Sequence, residues 1–265
     1  MKLGFIGAGN MASAIIKGLI NSGSKSAESI YISRKNPEKS SAFLDMGIHL
    51  CMSNRELAQI CDCIVLAIKP IYTADVIKEI YSCIQGKFII SIVGSWSYQM
   101  LHDALPADAR FVRVMPNTPL AVGEGMSLIS SKYTCTEDEF AYAKRVFECA
   151  GKVSVVEDHV YTAATSISGC GPAFVYQFIE ALADGGVRYG VPRAAAYELA
   201  AQTLIGAAKM VLETGEHPGR LKDAVCSPGG STIEGVYALE KGGMRAAVID
   251  AVGAAVEKIQ RSSNK

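Results

Sequence analysis

The stretch Leu3-Gly4-Phe5-Ile6-Gly7-Ala8-Gly9-Asn10-Met11-Ala12 decides the fold. An apolar run from Leu3 to Gly7 reads as a strand, and Asn10 to Ser22 reads as the helix that follows it. Between them, Gly7 makes the tight turn, Gly9 lacks the side chain that would block a close ligand, and Ala12 is small enough for the helix to pack on the sheet. Free N–H groups at the positive end of that helix suit phosphate. A bare GxGxxA string is common. Placed at the first strand-to-helix junction, with a second strand at the expected distance, it predicts a site for the pyrophosphate of a dinucleotide.

That second strand, Ser29 to Ser33, ends at Ser33-Arg34-Lys35. No Asp or Glu stands there to accept from an unphosphorylated ribose, whereas Arg34 offers planar donors to a 2′-phosphate. The expectation is NADPH in preference to NADH; an ordinary solvated turn is the plain alternative. Asn54 precedes a helix predicted over Arg55 to Ile60 and reads equally as its N-cap. Lys69-Pro70 follows the strand Asp62 to Ile68, at the sheet edge where ligands bind. A solvated end charge is the other reading of Lys69.

Further outward the alternation continues. A helix is predicted over Thr73 to Ser82 and strands over Phe88 to Val93 and Arg110 to Met115. Ser127 to Ser130 and Lys152 to Val156 add outer strands around a helix Glu137 to Cys149. Such alternation implies an α/β fold with a mostly parallel sheet. Beyond Asp158 the period turns helical, with candidates over 160–189, 193–213, 218–225, 231–241 and 243–261. Gly169, Gly171 and Pro172 predict a bend in the first of these. The expected domains are therefore 1–158 and 159–265. Abundant Ala and Gly in the second allow close helix packing but supply little core volume, which an intertwined dimer would complete.

The 265 residues balance 26 basic against 26 acidic side chains, so no general attraction to nucleic acid is expected. No apolar run reaches the ~18 residues of a membrane span, and no export signal is legible. The cytoplasm is the expected compartment. Eight cysteines are read as buried thiols: Cys61 and Cys63 form only C-x-C without a partner cluster, so no metal site is expected. The histidines are isolated, and His217, before Pro218, reads as a turn or interface residue.

Five segments in this order resemble the pyrroline-5-carboxylate reductase family: Phe5 to Ala12, Ala67-Ile68-Lys69-Pro70, Met115-Pro116-Asn117-Thr118-Pro119, Ser168-Gly169-Cys170-Gly171-Pro172-Ala173 and Ser227-Pro228-Gly229-Gly230-Ser231-Thr232. The resemblance spans nearly the whole chain. It implies a Rossmann-like domain followed by an all-helical dimerisation domain, in a homodimer that can assemble into a decamer. It implies reduction of L-1-pyrroline-5-carboxylate to L-proline by NADPH, with NADH as second donor. Coenzyme contacts would fall at Ile6, Gly7, Ala8, Gly9, Asn10 and Met11, at Ser33 and Arg34, at Asn54, at Ala67, Lys69 and Pro70, and at Met115, Pro116 and Asn117. Substrate contacts would fall at Val225, Ser227, Gly230, Ser231 and Thr232, with the Thr232 hydroxyl as the catalytic group beside the ring nitrogen.

The Ser227 to Thr232 segment also reads directly. Proline and two glycines expose backbone N–H groups just before a helix, a setting that binds a carboxylate without arginine. Cys170 stands where the resembled family often has serine, which argues against a required hydroxyl there, and it reads as a small packed side chain. A hydroxyacid dehydrogenase shares the domain plan but calls for a His or Lys base that the helical half does not offer. A nucleotide-sensing protein without imine reduction is the third reading.

Overall fold

The computed structural model describes residues 1–263. The chain runs β1 (Leu3–Ile6), α1 (Asn10–Asn21), β2 (Ile30–Ser33), α2 (Ser41–Leu44), β3 (His49–Leu50), α3 (Asn54–Ile60), β4 (Cys63–Leu66), α4 (Thr73–Ile80), β5 (Phe88–Ser91), α5 (Tyr98–Ala104) and β6 (Arg110–Met115). It continues through β7 (Gly125–Ser130), α6 (Glu137–Glu148) and β8 (Gly151–Val156) into α7 (Tyr161–Ser168), α8 (Gly171–Arg188), α9 (Arg193–Thr214), α10 (Pro218–Val225), α11 (Ser231–Lys241) and α12 (Met244–Ser263).

One eight-stranded sheet has the order β3-β2-β1-β4-β5-β6-β7-β8, parallel throughout except between β6 and β7. β4 is buried on both faces: Cys63 and Val65 enter one core with α1 and α6, Ile64 and Leu66 the other with α3, α4 and α5. This is why Cys63 to Leu66 reads as an unbroken apolar run rather than an alternation. The strand order reverses at β1, and that is where a crevice opens at the carboxyl edge of a doubly wound sheet.

Register places one row of side chains across a single face. Ile6 pairs with Ser33 on one side and with Leu66 on the other, Leu66 with Ser91, and Ser91 with Arg113. The row is polar at both ends and apolar in the middle.

The chain divides into two compact units, one of residues 1–170 with the stretch from Ala255 onward, the other Gly171–Ala254. Strands end at Val156, but α7 packs on β7, so the first unit extends to Cys170. In the second unit α8 and α9 form a hairpin closed at Gly190, whose φ of +96° suits glycine. Its buried apolar cluster is small: Ala183, Ala196 and Ala200, with Ile179, Val187 and Val191 against them. Val225, Tyr237, Leu239, Val248 and Ile249 stay exposed, Ile249 at 69%.

Several local expectations change. The helix expected over 160–189 is broken at Gly169 and Cys170 into α7 and α8. A side chain at Gly169 would stand 2.9 Å from the Thr165 carbonyl and 3.4 Å from the Met115 methyl, so the glycine serves close packing. Asn54 is not the N-cap of α3. Ser53 holds that place, accepting from the Glu56 amide at 3.1 Å, while Glu56 reaches back to the Met52 amide at 2.7 Å. The signal was present as Ser53-Asn54-Arg55-Glu56, a capping pattern. The two-residue strand β3 and the short helices α2 and α5 were missed because so few residues carry no readable period.

Candidate coenzyme and substrate sites

The turn after β1 is built from two glycines with different jobs. Gly7 has φ +90°, and a Cβ there would lie 2.5 Å from the Ala67 carbonyl oxygen. Its amide donates to the Ser33 carbonyl at 2.9 Å, and the Ala67 amide donates to the Ile6 carbonyl at 2.8 Å, so the turns after β2, β1 and β4 lie side by side. Gly9, in contrast, has ordinary extended geometry and an exposed face where a Cβ would meet nothing within 4 Å. It is the N-cap of α1 and offers no side-chain cap, and no acid occupies the first turn. The first-turn amides of exposed Asn10 and half-buried Met11 are therefore left without a side-chain cap, an arrangement that fits the pyrophosphate of a dinucleotide. Ala8 is buried in the turn, packed with the α1 side of the core.

A cleft of about 460 Å³ adjoins this turn at the polar β2 end of the row, lined among others by Ile6, Gly7, Ser33, Arg34, Asn54, Tyr72 and Glu79. The Ser33 hydroxyl donates to Asn54 Oδ1 at 2.7 Å, and Asn54 Nδ2 donates to Glu79 Oε2 at 2.8 Å. Asn54 thus presents a fixed amide in the wall rather than a helix cap. Arg34 is steadied by a 2.6 Å bond from Nη1 to the Lys39 carbonyl, and Lys35 Nζ lies 5.8 Å from the centre of the Tyr72 ring. Tyr72, Asp75 and Glu79 were missed by sequence reasoning. They come from the turn before α4 and from α4 itself, and no local pattern ties them to β2.

Among the residues expected at the β4 and β6 turns, Lys69 and Pro70 are exposed at the carboxyl edge. The Pro70 carbonyl accepts from the indole of Trp96, the chain's single tryptophan, at 3.3 Å. Met115 lines a second cavity of about 380 Å³ over the polar β6 end of the row. Pro116 is buried behind it. Asn117 has a different occupation from a ligand contact: it is 7% exposed, donates to the Ser168 carbonyl and accepts from the Met126 amide, both at 2.9 Å. Its amide clamps α7 to the loop after β6.

In the second unit, Ser227-Pro228-Gly229-Gly230 forms a turn closed by a 3.0 Å bond from the Gly230 amide to the Ser227 carbonyl. Gly229 has φ +69°, as the third residue of a type II turn requires. Gly230 lets the Ser227 hydroxyl lie close, since a Cβ there would meet Ser227 Oγ at 2.4 Å in its present rotamer. Gly230 is also the N-cap of α11 and provides no side-chain cap. The amides of Ser231, Thr232 and Ile233 are therefore a second open helix start, with the exposed side chains of Ser227, Thr232 and Val225 around it. His217 caps α10, its Nδ1 accepting from the Gly219 amide at 3.1 Å, in line with a turn residue.

All eight cysteines are unpaired. Burial pushes Cys51 up to about 11 and Cys61 up to about 12, so both remain protonated thiols rather than nucleophiles.

Residues 158–262 match the family described as pyrroline-5-carboxylate reductase dimerisation, and residues 2–95 match the family described as NADP oxidoreductase, coenzyme F420-dependent. The pyrroline-5-carboxylate reductase of Escherichia coli (strain K12) is 44% identical over 264 residues, covering 99% of this chain and 98% of the relative. That of Pisum sativum is 41% identical over 262 residues, covering 98% and 96%. The solved Plasmodium falciparum pyrroline carboxylate reductase with NADP bound superposes with a TM-score of 0.92 at 36% identity, covering 99% of this chain and 98% of that one.

Proposed function

The chain belongs to the pyrroline-5-carboxylate reductase family, and from that premise we propose how its residues carry out the reaction. The enzyme reduces L-1-pyrroline-5-carboxylate to L-proline, the last step of proline biosynthesis, by hydride transfer to imine carbon C5. NADPH supplies that hydride when bound.

The observation that carries the residue-level reading is the pair of uncapped helix starts, one over Gly9 and one over Gly230. Each presents free N–H groups to an anion. The α1 start holds the pyrophosphate, and the α11 start holds the carboxylate of the substrate. Val225 and Ser227 border the carboxylate site. The Thr232 hydroxyl bonds the ring nitrogen and orients an imine that arrives protonated, since a neutral exposed threonine is a poor proton donor. Replacing Thr232 with alanine is expected to lower kcat/KM for the imine by about 10- to 100-fold with coenzyme affinity unchanged, as for a hydrogen bond to a charged group. Unaltered kcat/KM would remove Thr232 from the transition state.

Arg34 selects the coenzyme. Its side chain borders the cleft, with one nitrogen engaged by the Lys39 carbonyl and the rest of its fork available to a 2′-phosphate. Arg34→Ala is expected to raise KM for NADPH by about 10- to 100-fold, the worth of charge-assisted bonds, and to leave KM for NADH within about 2-fold. Equal effects on both would refute charge selection.

A homodimer is the functional unit in this reading, supported by the sparse core of Gly171–Ala254 and its exposed apolar side chains. Assembly of dimers into a decamer extends it, and mass in solution tests both. The cytoplasm is the proposed compartment, supported by eight free thiols. Among the described residues no helix is long and apolar enough to cross a membrane. The deciding experiment is turnover of purified protein with pyrroline-5-carboxylate and either NADPH or NADH, with proline measured directly. Coenzyme binding without proline formation would overturn the proposal.

A further inference from the structure

Four buried side-chain hydroxyls among the described residues have no hydrogen-bond partner: those of Ser40, Ser127, Tyr142 and Thr165. Thr165 alone of these lines the cavity beside Met115. Its position on α7 makes the missing partner unusual. A helical hydroxyl ordinarily bonds the carbonyl four residues back, and Ser166 and Ser168 on the same helix do so, to Thr162 at 3.1 Å and Ala164 at 3.2 Å. Thr165 is 6% exposed and its Oγ1 makes no such bond. A buried hydroxyl left unpaired costs about 1–3 kcal/mol.

The cavity is polar where the neighbouring sheet face is apolar. The row Ile6, Leu66 gives way to Ser91 and Arg113, which form its floor. Arg113 is already committed, its Nη1 donating to Asp158 at 3.0 Å and its plane stacked 4.2 Å from the centre of the Tyr161 ring. Ser91 accepts from the Val93 amide at 3.4 Å. Among the side chains that line the cavity, Thr165 Oγ1 is the buried polar atom left without a hydrogen-bond partner. The two cavities lie on one face of the sheet, at the two ends of the row. From β2 to β6 is four strand spacings of about 4.8 Å, roughly 19 Å, a span that an extended dinucleotide bridges.

We propose that the Thr165 hydroxyl is the hydrogen-bond partner of the nicotinamide carboxamide of the coenzyme, and so a positioning residue for hydride transfer. The inference rests on the NADPH-dependent reading above. A primary carboxamide both donates and accepts, so the single hydroxyl satisfies it in either sense. Holding the carboxamide fixes the rotation of the nicotinamide ring about its glycosidic bond, and with it the direction in which C4 faces the substrate.

The test compares two ligands on three proteins. NADPH and adenosine 2′,5′-bisphosphate, which carries the 2′-phosphate but no nicotinamide, are titrated into the wild type, Thr165→Val and Thr165→Ser, with Trp96 emission as the signal. Thr165→Val keeps the shape and removes an unpaired hydroxyl, so its thermal midpoint should be unchanged or higher. The expected result is about tenfold weaker NADPH binding by the valine variant, unchanged binding of the bisphosphate, and recovery of most NADPH affinity in the serine variant. Unchanged NADPH affinity in the valine variant overturns the inference and leaves the function standing. Equal weakening of both ligands also overturns it, by showing a change of fold. A wild type that binds the bisphosphate but not NADPH overturns the inference together with the function.

Discussion

Gly9→Val is expected to fold normally and to lose coenzyme affinity by more than about 100-fold. The backbone at Gly9 is extended, φ −90° and ψ −168°, and a Cβ there meets nothing within 4 Å. The backbone is not strained, the Cβ meets no clash, and no side-chain cap is lost. The thermal midpoint should fall by only about 2–4 °C, because valine is a poorer N-cap residue than glycine by about 1 kcal/mol. The branched side chain, however, stands beside the uncapped amides of Asn10 and Met11, where the pyrophosphate needs close backbone approach. Gly7→Ala reverses the pattern. At φ +90°, with its Cβ 2.5 Å from the Ala67 carbonyl oxygen, the alanine forces apart the turns after β1 and β4. The expected cost is on the order of 3 kcal/mol or more, a large share of the roughly 5–15 kcal/mol that holds a domain folded. Thermal melts and coenzyme titrations of both variants separate the roles. Retained binding in Gly9→Val would place the pyrophosphate elsewhere.

The second large effect concerns the helical unit. Leu239→Glu combined with Ile249→Glu is expected to reduce the mass in solution to the 28.2 kDa protomer and to abolish proline formation. Both side chains are large, apolar and exposed, and they border one groove between α11 and α12. In a two-fold dimer each substitution acts twice, so four apolar side chains lose their burial, roughly 6–12 kcal/mol in all. That approaches the entire ~12 kcal/mol of a nanomolar association, before the cost of placing carboxylates in an apolar contact. Adenosine 2′,5′-bisphosphate binding, which depends on the cleft beside β2, should survive. A dimeric, active double variant would place the interface on another surface.

The parts of this protein that were legible in its sequence are those governed by interactions over a few residues. Gly7 in a tight turn, Gly9 at an open helix start and the Pro228-Gly229-Gly230 entry to a helix follow from backbone sterics that four to six residues express. The apolar run of β4 and the helical period beyond residue 158 announce burial on two faces and on one. Asn54 shows where such reading stops. Its neighbours Ser53 and Glu56 determine that it is not the cap, but its bonds to Ser33 and Glu79 depend on β2 and α4 coming together.

From its sequence alone this chain specified an α/β sheet with a glycine turn for a dinucleotide, a helical second half and a proline-glycine turn that ends in a free helix start. The tertiary structure alone decided that Ser33, Ile6, Leu66, Ser91 and Arg113 form one row with a cavity at each end, that Asn117 is a clamp, and that Thr165 keeps an unpaired hydroxyl. The physical reason is the range of the forces involved. Local sterics and capping choose the backbone conformation within a turn or two, whereas the partner of a side chain is chosen by strand register between residues as far apart as 33 and 113, and no short pattern encodes it.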